Sequence, residues 1–209
     1  MKKRPVLFWA LVTLQLCFLG AMVLRQELLL YSKTTVLLRC IPVDPRSLFS
    51  GDYVALKYDI SSLEPDNEGM PLKDLDGHRY KKNDYVYVLL KEGGKEGGHH
   101  AFAYASSMGK AQKHLPDGAV IMRGIVSEAF YPNGIQKQQK GSVLEVRYGV
   151  ESYFVPEREG KRIEDAIEKR FAAGAGEGQS EVLVELALNN KGISAIKRLF
   201  INREAVNFK

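Results

Sequence analysis

Two short stretches of this 209-residue chain hold most of the residue types that can bind or react. The first runs from Pro42 to Tyr58, PVDPRSLFSGDYVALKY, and sets Asp44, Arg46, Asp52 and Tyr53 among turn-forming residues. The second runs from Val146 to Glu164, VRYGVESYFVPEREGKRIE, and offers Arg147, Tyr148, Glu151, Tyr153, Glu157 and Glu164. Carboxylates, guanidinium groups and phenols make a donor and acceptor set suited to a polar ligand or partner, and function concentrates on connections held by a rigid scaffold. Asp44-Pro45 opens a turn: the carboxylate accepts from amides two or three residues on, and the proline ring fixes φ. Charges in such a turn can also do no more than satisfy its own backbone. Asp44, Arg46, Asp52, Tyr53, Arg147, Tyr148 and Glu157 are therefore the candidate binding residues, and if the two stretches meet they line one rim of the domain.

Catalytic chemistry is poorly served. Glu157 and Glu164 could divide acid and base roles if their environments separate their pKa values. Glu164, however, stands in a first helical turn, where the helix dipole favours a carboxylate. Adjacent His99 and His100 point to opposite faces of a strand. No Cys/His ligand spacing accompanies them, so neither a metal nor another cofactor is expected. The glycines of Glu92–Gly98 lack the Lys-Ser/Thr ending of a phosphate-binding loop. Lys2, Lys3 and Arg4 supply three of the five net positive charges, leaving +2 on the rest. A nucleic-acid binder would carry its basic stripe on the folded part.

The elements that must position these groups begin with an anchor. Pro5–Leu24 contains no charged side chain, and twenty helical residues span roughly 30 Å, the thickness of a bilayer's hydrocarbon core. A cleaved signal peptide would have a shorter apolar run and a small-x-small site; Gly20-Ala21-Met22 matches that poorly. Leu14-Gln15-Leu16-Cys17 is not a lipoprotein box, because Leu16 is too large. The Lys2-Lys3-Arg4 cluster predicts a cytoplasmic N-terminus, with everything after Arg25 outside the cytoplasmic (inner) membrane. Residues 1–31 are then a cytoplasmic tip, a single-pass anchor and a juxtamembrane helix, and 32–209 a single extracytoplasmic domain.

In that domain the period changes to two. Val36, Leu38 and Cys40 share one face, and so do Val54, Leu56, Tyr58 and Ile60. Strands are expected at Thr35–Val43, Asp52–Ile60, Tyr85–Lys91, Ala101–Ser106, Ala119–Ala129, Ser142–Val150, Glu181–Leu188 and Ile193–Ile201. Asn189-Asn190-Lys191-Gly192 reads as a hairpin turn. One helix is expected, around Ile163, Ala166, Ile167 and Phe171, with Gly174 as its cap. Glu64–Gly77, Glu92–Gly98 and Ala173–Ser180 read as loops, and Cys40 as a buried reduced thiol. The fold class is mainly β: a sandwich or partly closed barrel of about eight strands and one short helix, behind an N-terminal transmembrane helix.

Gly51-Asp52-Tyr53-Val54-Ala55-Leu56-Lys57-Tyr58 matches GDYxxLxY, the string that names a family of bacterial membrane-anchored proteins of unknown function. PVDPRSLFSGDY, RYGVESYFVPE and the N-terminal anchor fit the same pattern in order. The chain thus resembles that family over nearly its whole length. The resemblance implies a signal-anchored periplasmic domain working beside an integral membrane protein, and it supplies no catalytic residue. The expected function is a membrane-anchored binding or interaction module. A weaker likeness, to membrane-anchored Ser-Lys peptidases, gives the alternative: a hydrolase with Ser47 or Ser50 as nucleophile and a strand lysine as base. In that group the nucleophile precedes the proline, where this chain has Cys40.

Overall fold

The computed structural model describes residues 3–41, 53–64, 72–93, 98–131, 142–154, 182–201 and 204–206. One helix, α1 (Lys3–Leu30), leads into a domain that is almost entirely strand. Apolar side chains surround α1 on every side, and Phe8, Trp9, Leu14, Phe18 and Leu24 are all exposed. A helix apolar all round has no polar face to give to water. Its Phe8–Leu30 segment is long and apolar enough to cross a membrane. Cys17 lies exposed on it.

Thirteen strands follow among the described residues. They are β1 (Thr34–Ile41), β2 (Tyr53–Ala55), β3 (Lys57–Tyr58), β4 (Ser62–Leu63), β5 (Lys73–Asp74), β6 (Tyr85–Gly93) and β7 (Gly98–Ala105). Then come β8 (Val120–Phe130), β9 (Val143–Arg147), β10 (Ser152–Phe154), β11 (Val182–Leu188), β12 (Ser194–Ile201) and β13 (Glu204–Ala205). One sheet runs β13-β12-β11-β1-β3, another β4-β9-β8-β6-β7-β5, and β10 pairs with β2. The result is a curled half-barrel. Period-two patterning placed the long strands well. β1 buries Val36, Leu38 and Cys40, while β8 and β9 bury Met122, Val126, Leu144 and Val146. These meet Val184, Leu186, Leu188 and Leu199 in one core. Buried apolar surface of this kind is the main favourable term for the domain.

Where β1 passes β7 the two strands share no ladder. Instead the Leu37 N–H donates to His99 Nδ1 at 3.2 Å, so a side chain takes the place of a strand neighbour. Further along β1, Cys40 and Ile41 pair with Tyr58 and Lys57 of β3.

Several elements depart from the expected layout. The strand expected over Asp52–Ile60 is divided among three partners: β2 pairs with β10, β3 with β1, and β4 with β9. A 3-10 turn at Asp59–Ser61 makes the last switch. Burial still alternates, with Leu56, Tyr58 and Ile60 inside. β5 lies within the stretch expected to be loop, held parallel to β7 as Asp74 pairs with Tyr104. A short helix, α2 (Met108–Lys113), was not expected; Ala111 is its one buried residue and Ser107 caps it by accepting from Lys110 N. The helix expected around Ile163–Phe171 lies outside the described residues. The hairpin at Asn189–Gly192 is as expected: Gly192 takes φ +73°, and its carbonyl accepts from Arg123 N at 2.8 Å.

Candidate functional site

The two polar stretches are brought together by backbone pairing. Tyr53 pairs with Phe154, Val54 with Tyr153 and Ala55 with Ser152, and Leu56 N donates to the Glu151 carbonyl at 2.7 Å. Since the ladder is antiparallel, the chain enters β2 and leaves β10 at the same end. Asp44, Arg46, Asp52 and Glu157 lie outside the described residues, as do Ser47, Ser50 and Glu164. Of Tyr53, only the backbone is described.

Beyond the ladder, two tyrosines lace the stretches together reciprocally. Tyr58 OH donates to the Val150 carbonyl at 2.5 Å, and Tyr148 OH donates to the Ile60 carbonyl at 2.7 Å. Both rings are buried, and burial pushes both phenols up, so they stay neutral donors. Gly124 makes room for this arrangement, because a Cβ there would meet Val146 Cγ1 at 2.2 Å and the Tyr148 ring at 3.0 Å. The Glu151 carboxylate closes the intervening turn by accepting from Tyr148 N and, at 3.0 Å, from Gly149 N. Gly149 sits at φ +79°, the left-handed conformation glycine adopts without a Cβ clash.

Arg147 and Tyr148 do not share a face. Arg147 is exposed on β9, opposite Ile125 of β8, whereas Tyr148 turns into the core with its hydroxyl already engaged. Lys57 and Glu145 form a 4.0 Å pair with both partners well exposed. Such a pair contributes little.

A second polar cluster, which the sequence reading passed over as loop, lies where β5 meets β7. Asp76 accepts from Ser106 N at 2.9 Å, from Ser106 Oγ, from Lys110 Nζ at 3.1 Å and from His78 N at 3.2 Å. Burial alone would raise this carboxyl, yet the donors from Ser106, Lys110 and His78 hold it at about 2. Ser106 and Lys110 both donate to that carboxylate, so they are not arranged as nucleophile and base. Asp74 accepts from Asp76 N through Oδ1 at 3.2 Å. Its Oδ2 and the hydroxyls of Tyr80 and Tyr104 are buried without a hydrogen-bond partner among the described residues. The two rings meet edge to face at 5.9 Å. Burial pushes the Asp74 carboxyl and both phenols upward. The signal for this cluster was present in Asp74-Leu75-Asp76-Gly77, where alternate carboxylates precede a glycine at φ +59°.

Among the described residues no three His, Cys, Asp or Glu side chains are grouped to hold a metal ion. Cys40 is buried and free. Burial, with Asp59 nearby, pushes its thiol up to about 12. A thiol so placed is a poor nucleophile at neutral pH.

The fold and these sites define a β-rich domain carried on one long apolar N-terminal helix. The chain belongs to the GDYXXLXY protein family, whose model matches residues 15–199. No curated protein and no solved structure matches it. Within the family's defining string, Leu56 is a core residue and Tyr58 a core donor.

Proposed function

We propose that this chain is a membrane-anchored binding module, with residues 1–31 holding an extracytoplasmic (periplasmic) domain of residues 32–209 against the outer side of a bacterial inner membrane. Its N-terminus is inside, and it works with an integral membrane partner. The observation that carries the reading is the pairing of Tyr53 with Phe154. It joins two polar stretches, rich in residues that recognise rather than react, on a domain tethered by an apolar helix. The contact region is the end of the β2–β10 ladder to which Asp44, Arg46, Asp52 and Glu157 are connected, with Arg147 outside it.

Co-purification from native membranes tests the reading. Arg46→Ala and Asp52→Ala should abolish capture of the membrane partner while leaving the melting temperature nearly unchanged, since exposed charges add at most about 1 kcal/mol. A large fall in melting temperature would mark a buried structural network and overturn the assignment. Orientation is tested by alkaline phosphatase fused after Tyr31 and after Lys209. Activity is expected in both fusions, and inactivity in both reverses the topology.

A further inference from the structure

The junction between α1 and the β domain holds an open cleft of ≈ 350 Å³ lined by Ala21, Leu24, Arg25, Leu28, Leu29 and Asn189. The five helix residues recur at i, i+3, i+4, i+7 and i+8, which is one stripe of an α-helix. Facing them is the start of the β11–β12 turn. Only Tyr31, Ser32 and Lys33 separate α1 from β1, and Ser32 Oγ donates to the carbonyl of Leu188, the residue before Asn189. The helix is therefore tied to the hairpin at its base.

Its chemistry is divided. Ala21, Leu24, Leu28 and Leu29 form a hydrocarbon wall, and the polar groups sit beside it. Asn189 Oδ1 is occupied, accepting from Lys191 N and Ile193 N at 2.9 Å each. Its side-chain nitrogen has no partner among the described residues. Arg25 makes no ion pair among them, and Lys191 lies exposed two residues along the hairpin from Asn189. Two donors, one of them cationic, thus border an apolar slot at the end of a helix suited to a bilayer.

We infer that this cleft binds one anionic phospholipid, with its phosphate held by Arg25 and the Asn189 amide nitrogen and an acyl chain laid along Leu24 and Ala21. The inference rests on the reading of α1 as a membrane anchor. Basic residues at a bilayer surface attract anionic headgroups, and an arginine stem lies along apolar surface while its head stays polar. The volume is at the small end of ligand sites.

The test uses the full chain in nanodiscs of equimolar phosphatidylcholine and phosphatidylglycerol, with native mass spectrometry of the lipid retained on release. Preferential retention of one phosphatidylglycerol is expected. Asn189→Asp keeps the Oδ1 that closes the turn and replaces the donor by an anionic oxygen. It should cut the preference roughly fivefold with an unchanged circular dichroism spectrum, and Arg25→Gln should do likewise. Equal retention of both lipids by the wild type, or a preference untouched by Asn189→Asp, overturns the proposal. Displacement by excess inorganic phosphate would mean that the polar groups recognise a free anion, not a lipid. Loss of lipid with a second polypeptide held in its place would assign the cleft to a protein. Flotation with pure phosphatidylcholine vesicles separates the two readings. Wild type and variants should float alike, and failure of the wild type to float removes the anchor itself.

Discussion

Four buried tyrosines fall into two pairs that should answer the same mutation with different signs. Tyr58 and Tyr148 each give a hydroxyl to a carbonyl, those of Val150 and Ile60. Tyr80 and Tyr104 find no partner for theirs among the described residues. Tyr58→Phe or Tyr148→Phe leaves a buried carbonyl with one donor fewer, which costs about 1–3 kcal/mol. For a domain of this size each kcal/mol shifts the melting temperature by roughly 2–4 °C, so a fall of about 2–12 °C is expected for either variant. The double variant should depart from additivity, because the two hydroxyls close one contact from both sides. Tyr80→Phe and Tyr104→Phe remove a desolvated hydroxyl that bonds to none of the described residues, so stability should stay within about 0.5 kcal/mol of wild type or rise. Thermal melts and urea titrations of the full chain, followed by far-ultraviolet circular dichroism, measure all four. If Tyr80→Phe costs as much as Tyr58→Phe, the Tyr80 hydroxyl has a partner in solution and the distinction collapses. If Tyr148→Phe costs nothing, the reciprocal lacing does not hold the two stretches together.

Asp74 gives a pH-dependent test. Burial raises its folded pKa above the ordinary carboxylate value, so stability is fully present below about pH 4 and is lost as the pH rises through the folded value. Asp74→Asn should therefore raise the urea midpoint at neutral pH, and the gain should vanish in acid; an unchanged midpoint at pH 7 refutes it. His99 has the opposite dependence. Burial lowers its pKa, so stability at the β1–β7 seam is present above about pH 6.5 and declines as acid protonates the unfolded chain more readily. His99→Phe should flatten the midpoint profile below about pH 6.5; an equally steep profile would show that the seam does not titrate. Cys40, with its thiol at about 12, should resist iodoacetamide at pH 8 in the native chain and react on unfolding in urea, as mapped by peptide mass spectrometry. Rapid native labelling would place it at the surface.

What the sequence made legible was whatever depends on a residue's own neighbours. Alternation along Val36, Leu38 and Cys40 marks a buried face whatever strand lies alongside, and twenty uncharged residues make a bilayer-length helix in any context. Partner choice is a different kind of fact. Nothing local to Leu56 says that the chain before it pairs with β10 and the chain after it with β1, so a broken strand reads as a continuous one. α2 escaped notice because one buried alanine in six residues leaves no periodic signal. β5 was hidden for a similar reason, since two residues cannot show alternation.

The tyrosines show where the same limit falls on the site. Tyr148 carries a phenol beside Arg147, and by composition alone it is as good a binding residue as Tyr53. Strand alternation already sends neighbouring side chains to opposite faces. Which face is inside depends on β8 and on the glycine at position 124 that admits the ring. Once inside, the Tyr148 hydroxyl finds Ile60 and the Tyr58 hydroxyl finds Val150. Leucine and the final tyrosine of GDYxxLxY thus serve to pin β3 and the turn after it against the end of β9. That fixes the frame from which Tyr53 and Phe154 leave as neighbours. The motif's own apolar half is what holds the two stretches in register.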